Sequence, residues 1–261
     1  MLYNLGINAT SLASVVSDPD NPSFLVATTR TEQDVNMVLK FSRNDPIKQY
    51  IFSSGGLNEI DSCPHDAEKI LSTYANDEWI TAGIFRLREP AEGLMREIEM
   101  VTGLDSIIKI ENVGDEEIKA RWHPKEPSRL YTLKDDNVKV VDISEAGPSV
   151  VWSSAEDEEL KLLDGRWSPH TSHQLLATVA GMGGHVVGWD MRKRTAAWSL
   201  EEPHASYQLP EAINSLDFNP NKPHALLTGG DDWFINFWDT RAGFRKKEKK
   251  WNFSDLGGAS F

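Results

Sequence analysis

Leu216-Asp-Phe-Asn-Pro-Asn-Lys-Pro-His-Ala-Leu-Leu-Thr-Gly-Gly-Asp-Asp-Trp-Phe-Ile-Asn-Phe-Trp-Asp-Thr-Arg241 reads as three strands punctuated by two turns. Leu216 and Phe218 are apolar residues two apart, so one face of the first run looks inward. Pro220 has no amide to donate and holds its neighbour extended, which ends that strand. Ala225–Gly229 starts a second run, and Gly229-Gly-Asp-Asp232 tolerates positive φ and closes a hairpin. Ile235–Asp239 is the third run.

The same order of signals occurs five times. Pro19, Pro64, Pro124, Pro169 and Pro220 lie 45, 60, 45 and 51 residues apart. At a constant offset follow Phe24–Thr28, Lys69–Thr73, Arg129–Leu133, Gln174–Thr178 and Ala225–Gly229. Polar turns come next, and then third runs at Met37–Phe41, Ile80–Phe85, Val138–Asp142, Val186–Asp190 and Ile235–Asp239. Repetition at about 40–50 residues marks a propeller or solenoid, whose units bury their faces only against neighbours. Three hairpin-linked strands with a variable outer fourth make one propeller blade. No stretch sustains helical periodicity over three turns, and Pro90–Met100 is expected as a loop leading into an outer strand.

Composition fits that all-β class. The 261 residues suffice for one repetitive domain, and nine tryptophans suit gaps between stacked sheets. The single cysteine, Cys63, excludes an internal disulfide and fits a reducing compartment. Neither a signal peptide nor an 18-residue apolar span is evident, so the Asn8 and Asn252 glycosylation sequons are read as incidental. A net charge of −13 disfavours nucleic acid as a partner.

Arg166-Trp-Ser-Pro169, Leu176-Ala-Thr178 and Gly188-Trp-Asp-Met-Arg192 in the fourth unit resemble WD-repeat signatures, as do Leu216–Lys222, Gly229–Asp232 and Phe237–Arg241 in the fifth. Gly165–His170, Leu216–Lys222 and Phe237–Arg241 further resemble the EARP/GARP complex-interacting WD-repeat proteins, with a weaker echo at Tyr3, Gly6 and Phe24-Leu-Val26. The resemblance implies a WD-repeat β-propeller acting as a cytoplasmic adaptor. Its partners would be the EARP/GARP vesicle-tethering complexes at endosomes and the trans-Golgi network, in endosomal recycling and retrograde traffic. Family members resemble seven-bladed rings, whereas five units are readable here, near 3–50, 51–105, 115–155, 160–202 and 203–241. The expectation is an open or incomplete ring from a truncated or alternatively spliced product, with a complete five-bladed ring as the other possibility. Residues 242–261 are expected as a basic, flexible tail.

Within a WD blade the resemblance implies a hydrogen-bond chain, placed in the fifth unit on His204, Asp232, Thr228 and Trp238. These four are structural expectations. Trp233 replaces the usual glycine at a hairpin tip, where a large ring either packs on a neighbouring loop or meets a partner. Trp189-Asp-Met-Arg192 and Trp238-Asp-Thr-Arg241 fit the Trp-Asp-x-Arg pattern of cullin-RING ligase substrate receptors, which makes Arg192 and Arg241 candidate contacts for a ligase adaptor. The plainer alternative is pairing of each arginine with a local acid.

Other chemistry-bearing patterns read as structure. Cys63-Pro-His65 occupies the same turn slot as His123-Pro-Lys125, Ser168-Pro-His170 and Asn219-Pro-Asn221, which argues against a nucleophile pair. His170 and His173 lack the further ligands zinc needs. Gly181–Gly184 joins two strands without the helix and lysine of a phosphate loop. Glu111–Glu117 and Ala155–Glu159 read as solvated loops, and Arg245–Lys250 as part of the terminal tail. No catalytic, cofactor or metal residues are assigned, and no small-molecule substrate is expected. The reading is a non-catalytic interaction platform.

Overall fold

A computed structural model describes residues 8–28, 36–43, 45–75, 78–89, 98–105, 107–111, 117–134, 137–154, 161–170, 175–193, 195–201, 213–231, 234–242 and 247–252. The protein is all-β, its sheets built as propeller blades; among the described residues the one helical element is a 3₁₀ turn at Thr240–Ala242. Sheet 1 comprises β1 (Ala9–Val15), β2 (Ser23–Thr28), β3 (Asn36–Ser42) and β4 (Lys48–Phe52). Sheet 2 comprises β5 (Gly56–Ser62), β6 (Lys69–Ala75), β7 (Trp79–Leu87), β8 (Ile98–Gly103) and β9 (Lys109–Glu111). Sheet 3 holds β10 (Lys119–Trp122), β11 (Arg129–Lys134), β12 (Asn137–Ser144) and β13 (Gly147–Ser153). Sheet 4 holds β14 (Leu162–Trp167), β15 (Leu175–Ala180), β16 (His185–Asp190) and β17 (Ala196–Glu201). Sheet 5 holds β18 (Ile213–Phe218), β19 (Ala225–Gly230), β20 (Phe234–Asp239) and β21 (Lys247–Asn252). In each sheet the strands lie in chain order, except that β9 leaves the sequence and pairs with β7 beyond the end of β8.

Two compact units divide the chain. One contains residues 1–132 with 140–151, the other residues 133–139 with 152–261. In the first, the facing sides of sheets 1 and 2 bury Leu25, Val38, Phe52, Ile60, Ile70 and Phe85. The other side of sheet 2 supplies Leu71, Ala82 and Ile84 to a cluster with Ala120, Trp122, Leu130 and Val141 of sheet 3. In the second unit, Val186 and Leu200 of sheet 4 meet Leu216, Phe218, Leu226 and Trp238 of sheet 5. The period-two pattern produces both faces, because successive side chains leave a strand on opposite sides. Each fully buried aliphatic side chain contributes about 1.5–3 kcal/mol, so the sheet faces are the main source of cohesion.

Three of the proline turns repeat the same backbone bonds. The N–H groups of Cys63, His123 and Asn219 donate to the carbonyls of Lys69, Arg129 and Ala225 at 3.0, 2.8 and 2.9 Å. At the far end of the third strand, Leu87, Ile143 and Thr240 donate to Glu68, Ser128 and His224 at 2.8, 2.6 and 2.8 Å. A side-chain acceptor recurs at this slot in the turns of sheets 3, 4 and 5, supplied by different residue types. His123 Nδ1 accepts from the N–H groups of Lys125 and Glu126, and Asn219 Oδ1 accepts from those of Asn221 and Lys222. Ser168 Oγ accepts from His170 N–H, and at Cys63 it is the backbone carbonyl that accepts from Asp66 N–H.

Two expectations need correction. The second strands do not follow the prolines at a constant offset: β2 begins four residues after Pro19, β15 six after Pro169, and β6, β11 and β19 five after theirs. Pairing identifies the equivalent residues as Phe24, Ile70, Leu176 and Leu226, opposite Phe41, Phe85, Trp189 and Trp238. A slip of one residue exchanges the two faces of a strand, so the turn absorbs the difference and the face is kept. The second correction concerns the tail. Lys247–Asn252 is β21, paired with β20 as the outer strand of sheet 5. Its lysines disguised it in the sequence, yet charged side chains suit an edge strand.

Candidate functional site

Thr228 and Trp238 stand on neighbouring strands of sheet 5. Both are buried, and Trp238 Nε1 donates to Thr228 Oγ1 at 2.9 Å. Sheet 4 holds a second such pair, Trp189 Nε1 to Thr178 Oγ1, also 2.9 Å. His204, Asp232 and Trp233 lie outside the described residues, as does His173. Sheet 3 has Thr132 at the position of Thr228 and Val141 at that of Trp238; the buried Thr132 hydroxyl has no partner among the described residues. In sheet 2, Ser72 Oγ instead donates to the carbonyl of Glu59 at 2.9 Å.

Arg192 and Arg241 project at the ends of β16 and β20. Their side chains are 70% and 65% exposed, while those of Asp190 and Asp239 are 15% and 12% exposed. Arg192 donates to Asp190 Oδ1 through its backbone N–H at 3.0 Å and Nε at 2.9 Å, and to Oδ2 through Nη2 at 2.5 Å. Arg241 repeats the arrangement on Asp239 at 2.9, 3.0 and 2.5 Å. The side-chain hydrogen bond from Arg192 is the largest influence on Asp190 and holds its carboxyl at about 2; Asp239 is likewise held well below the usual carboxylate range by Arg241. Each guanidinium is therefore folded back on its own strand end, the local pairing that stood beside the ligase reading.

The remaining reactive-looking groups occupy structural positions. Cys63 is buried, and that burial pushes its thiol up. His170 Nε2 lies 2.5 Å from the carbonyl oxygen of Asn219, joining the turns of sheets 4 and 5. Among the described residues no group of three or more His, Cys, Asp or Glu could hold a metal, and no helix is long and apolar enough to cross a membrane.

One cavity of about 240 Å³ opens at the rim between sheets 2 and 3. Ile84, Val101, Trp122, Pro127 and Ile143 give it a mainly apolar lining, with Lys69, Thr102 and Ser128 as its polar members. A bulge in the pairing of β7 with β8 creates the β8 wall: Phe85 faces Met100, Ile84 faces Thr102, and Val101 is the extra residue. Met100 and Val101 are 43% and 49% exposed. An aliphatic or aromatic group is the natural occupant of such a lining. Sequence reading missed this site because Val101 and Thr102 follow an irregular insertion with no repeat signal of its own.

No protein-family model matches the chain. Human EARP and GARP complex-interacting protein 1 is 25% identical over 260 residues, covering 92% of this chain. The EARP-interacting protein 1 of Caenorhabditis elegans is 25% identical over 259 residues, covering 93%. The chain is a homologue of the EARP-interacting proteins. A shorter match, to the EARP and GARP complex-interacting protein 1 of Pongo abelii, reaches 32% identity over 125 residues, or 46% of this chain and 28% of the relative. The chain spans 65% of the length of the human and nematode relatives. Their names assign those relatives an interaction with the EARP or GARP complex. The match covers 92–93% of the chain, in keeping with the weaker echo read at its amino end.

Proposed function

We propose that this chain is a non-catalytic adaptor that binds the EARP and GARP vesicle-tethering complexes. In this reading its sheets are WD-repeat blades, five of a seven-bladed ring. The protein works from the cytoplasm, at the surface of endosomes and the trans-Golgi network, in endosomal recycling and endosome-to-Golgi traffic. One observation carries the proposal: the collinear likeness to complex-interacting proteins over 92% of the chain. The architecture supports it, because stacked blades present rims and loop ends over a large area, and binding specificity resides in such surfaces.

The open side of sheet 5 supports the count of blades. Leu227 and Phe237 pair across β19 and β20 and are 38% and 39% exposed. Leu71 and Ile84, at the matching positions of sheet 2, are 1% and 2% exposed beneath sheet 3. A face patterned for cover and partly exposed among the described residues fits a ring with further blades.

The test is direct. The tagged chain and its full-length relative are each mixed with purified EARP and GARP complexes, and co-elution is measured. Recovery of either complex with the chain is the expected result. Binding by the full-length relative alone would refute the adaptor role for these five sheets.

A further inference from the structure

The rim cavity has a counterpart within the same chain. The bulge that places Val101 recurs where β16 pairs with β17: Trp189 faces Ala196, Gly188 faces Trp198, and Ala197 is the extra residue. Ile84 therefore corresponds to Gly188, and Thr102 to Trp198. The repeated turn bonds make Trp122 the counterpart of Phe218, and Pro127 that of Pro223. The two slots share a plan but differ in filling. Beside sheet 5 the indole of Trp198 lies so close over Gly188 that an added Cβ would sit 2.1 Å from its Cε2, and the ring packs on the cluster containing Phe218. Beside sheet 3 the indole is replaced by Thr102, and the space remains open at about 240 Å³.

We infer that the cavity beside Thr102 receives one apolar side chain of tryptophan size, carried by an extended polypeptide segment of a partner laid along β8. The internal counterpart sets the occupant, since an indole fills the equivalent slot. The free edge of the strand sets the backbone. β8 pairs with β7 on one side and with no strand on the other among the described residues, so its outer amides and carbonyls are available for strand addition. Met100 and Val101 flank the opening as exposed apolar residues, which suits a buried anchor within a wider contact. This inference rests on the adaptor reading and locates its contact surface.

Two measurements test it. N-acetyl-tryptophanamide is titrated into the chain while the methyl signals of Ile84, Val101 and Ile143 are followed by NMR. All three signals move in the native chain, and those of Val101 and Ile143 stay fixed in Ile84→Gly/Thr102→Trp, which rebuilds the filled slot in place. Affinity for purified EARP and GARP complexes is then compared among the native chain, the double variant, Val101→Glu on the exposed rim, and Ile47→Glu as a surface control. Loss of about tenfold or more in the first two variants, with the control unchanged, is expected for a desolvated anchor. Absent methyl shifts, or unchanged complex binding in Val101→Glu, would overturn the site. If the native chain binds neither complex, the adaptor reading fails, and the amide titration still decides whether the cavity takes an indole.

Discussion

The indole N–H of Trp238 ends on Thr228 Oγ1, 2.9 Å away, in the interior of sheet 5. Thr132 occupies the matching place in sheet 3 without an indole to receive. One residue type therefore has opposite worth at two equivalent positions. Thr228→Val strands a buried donor and is expected to cost about 1–3 kcal/mol, whereas Thr132→Val removes an unsatisfied hydroxyl and is expected to be neutral or stabilising. Urea unfolding of both variants checks the contrast, and equal losses would refute it.

Gly188 is held by the ring above it. A methyl at this position would lie within 2.1–2.5 Å of the Trp198 indole, and a rigid ring has little room to yield. Gly188→Ala is expected to destabilise by about 1–3 kcal/mol. Adding Trp198→Ala should recover part of that loss, so the two changes combine sub-additively. A thermal-melt cycle of the single and double variants measures the coupling.

The Asp190–Arg192 and Asp239–Arg241 pairs set a sign for the acid response. A carboxyl held below its ordinary value of about 4 stabilises the fold above that pH, and the contribution fades as pH falls toward the folded-state value. For Asp190 that value is about 2. The melting temperature of the native chain should therefore fall between about pH 4 and 2 more steeply than that of Asp190→Asn/Asp239→Asn. Parallel profiles would show that neither pair contributes.

His123 and Asn219 perform one task with different chemistry, each accepting two backbone N–H groups in its turn. His123→Asn keeps an acceptor at the slot, while His123→Leu fills the space without one. The leucine variant is expected to be less stable than the asparagine variant by about 1 kcal/mol. Denaturant midpoints at matched slopes decide the order.

The sequence shows the meander, since prolines, hairpin turns and alternating apolar residues are local signals. It locates Thr228 and Trp238 on adjacent strands, and the same reasoning applied one unit earlier would have found Thr178 and Trp189. Turn length is less legible: a residue gained after Pro169 or lost after Pro19 changes no local pattern, and only pairing across the sheet shows which face is kept. β21 was hidden because its lysines resemble those of a solvated tail. The rim cavity was hidden for another reason. It is defined by a ring that is missing, and Thr102 has meaning only when superposed on Trp198.

Leu227 and Phe237 also bear on handling of the chain. Uncovered apolar sheet surface joins molecules to one another as readily as it joins neighbouring repeats, and that attraction weakens on cooling. Preparations of the isolated chain should therefore remain dispersed when cold and dilute, and self-associate on warming or in sulfate. Replacing both residues with glutamate should abolish that temperature dependence.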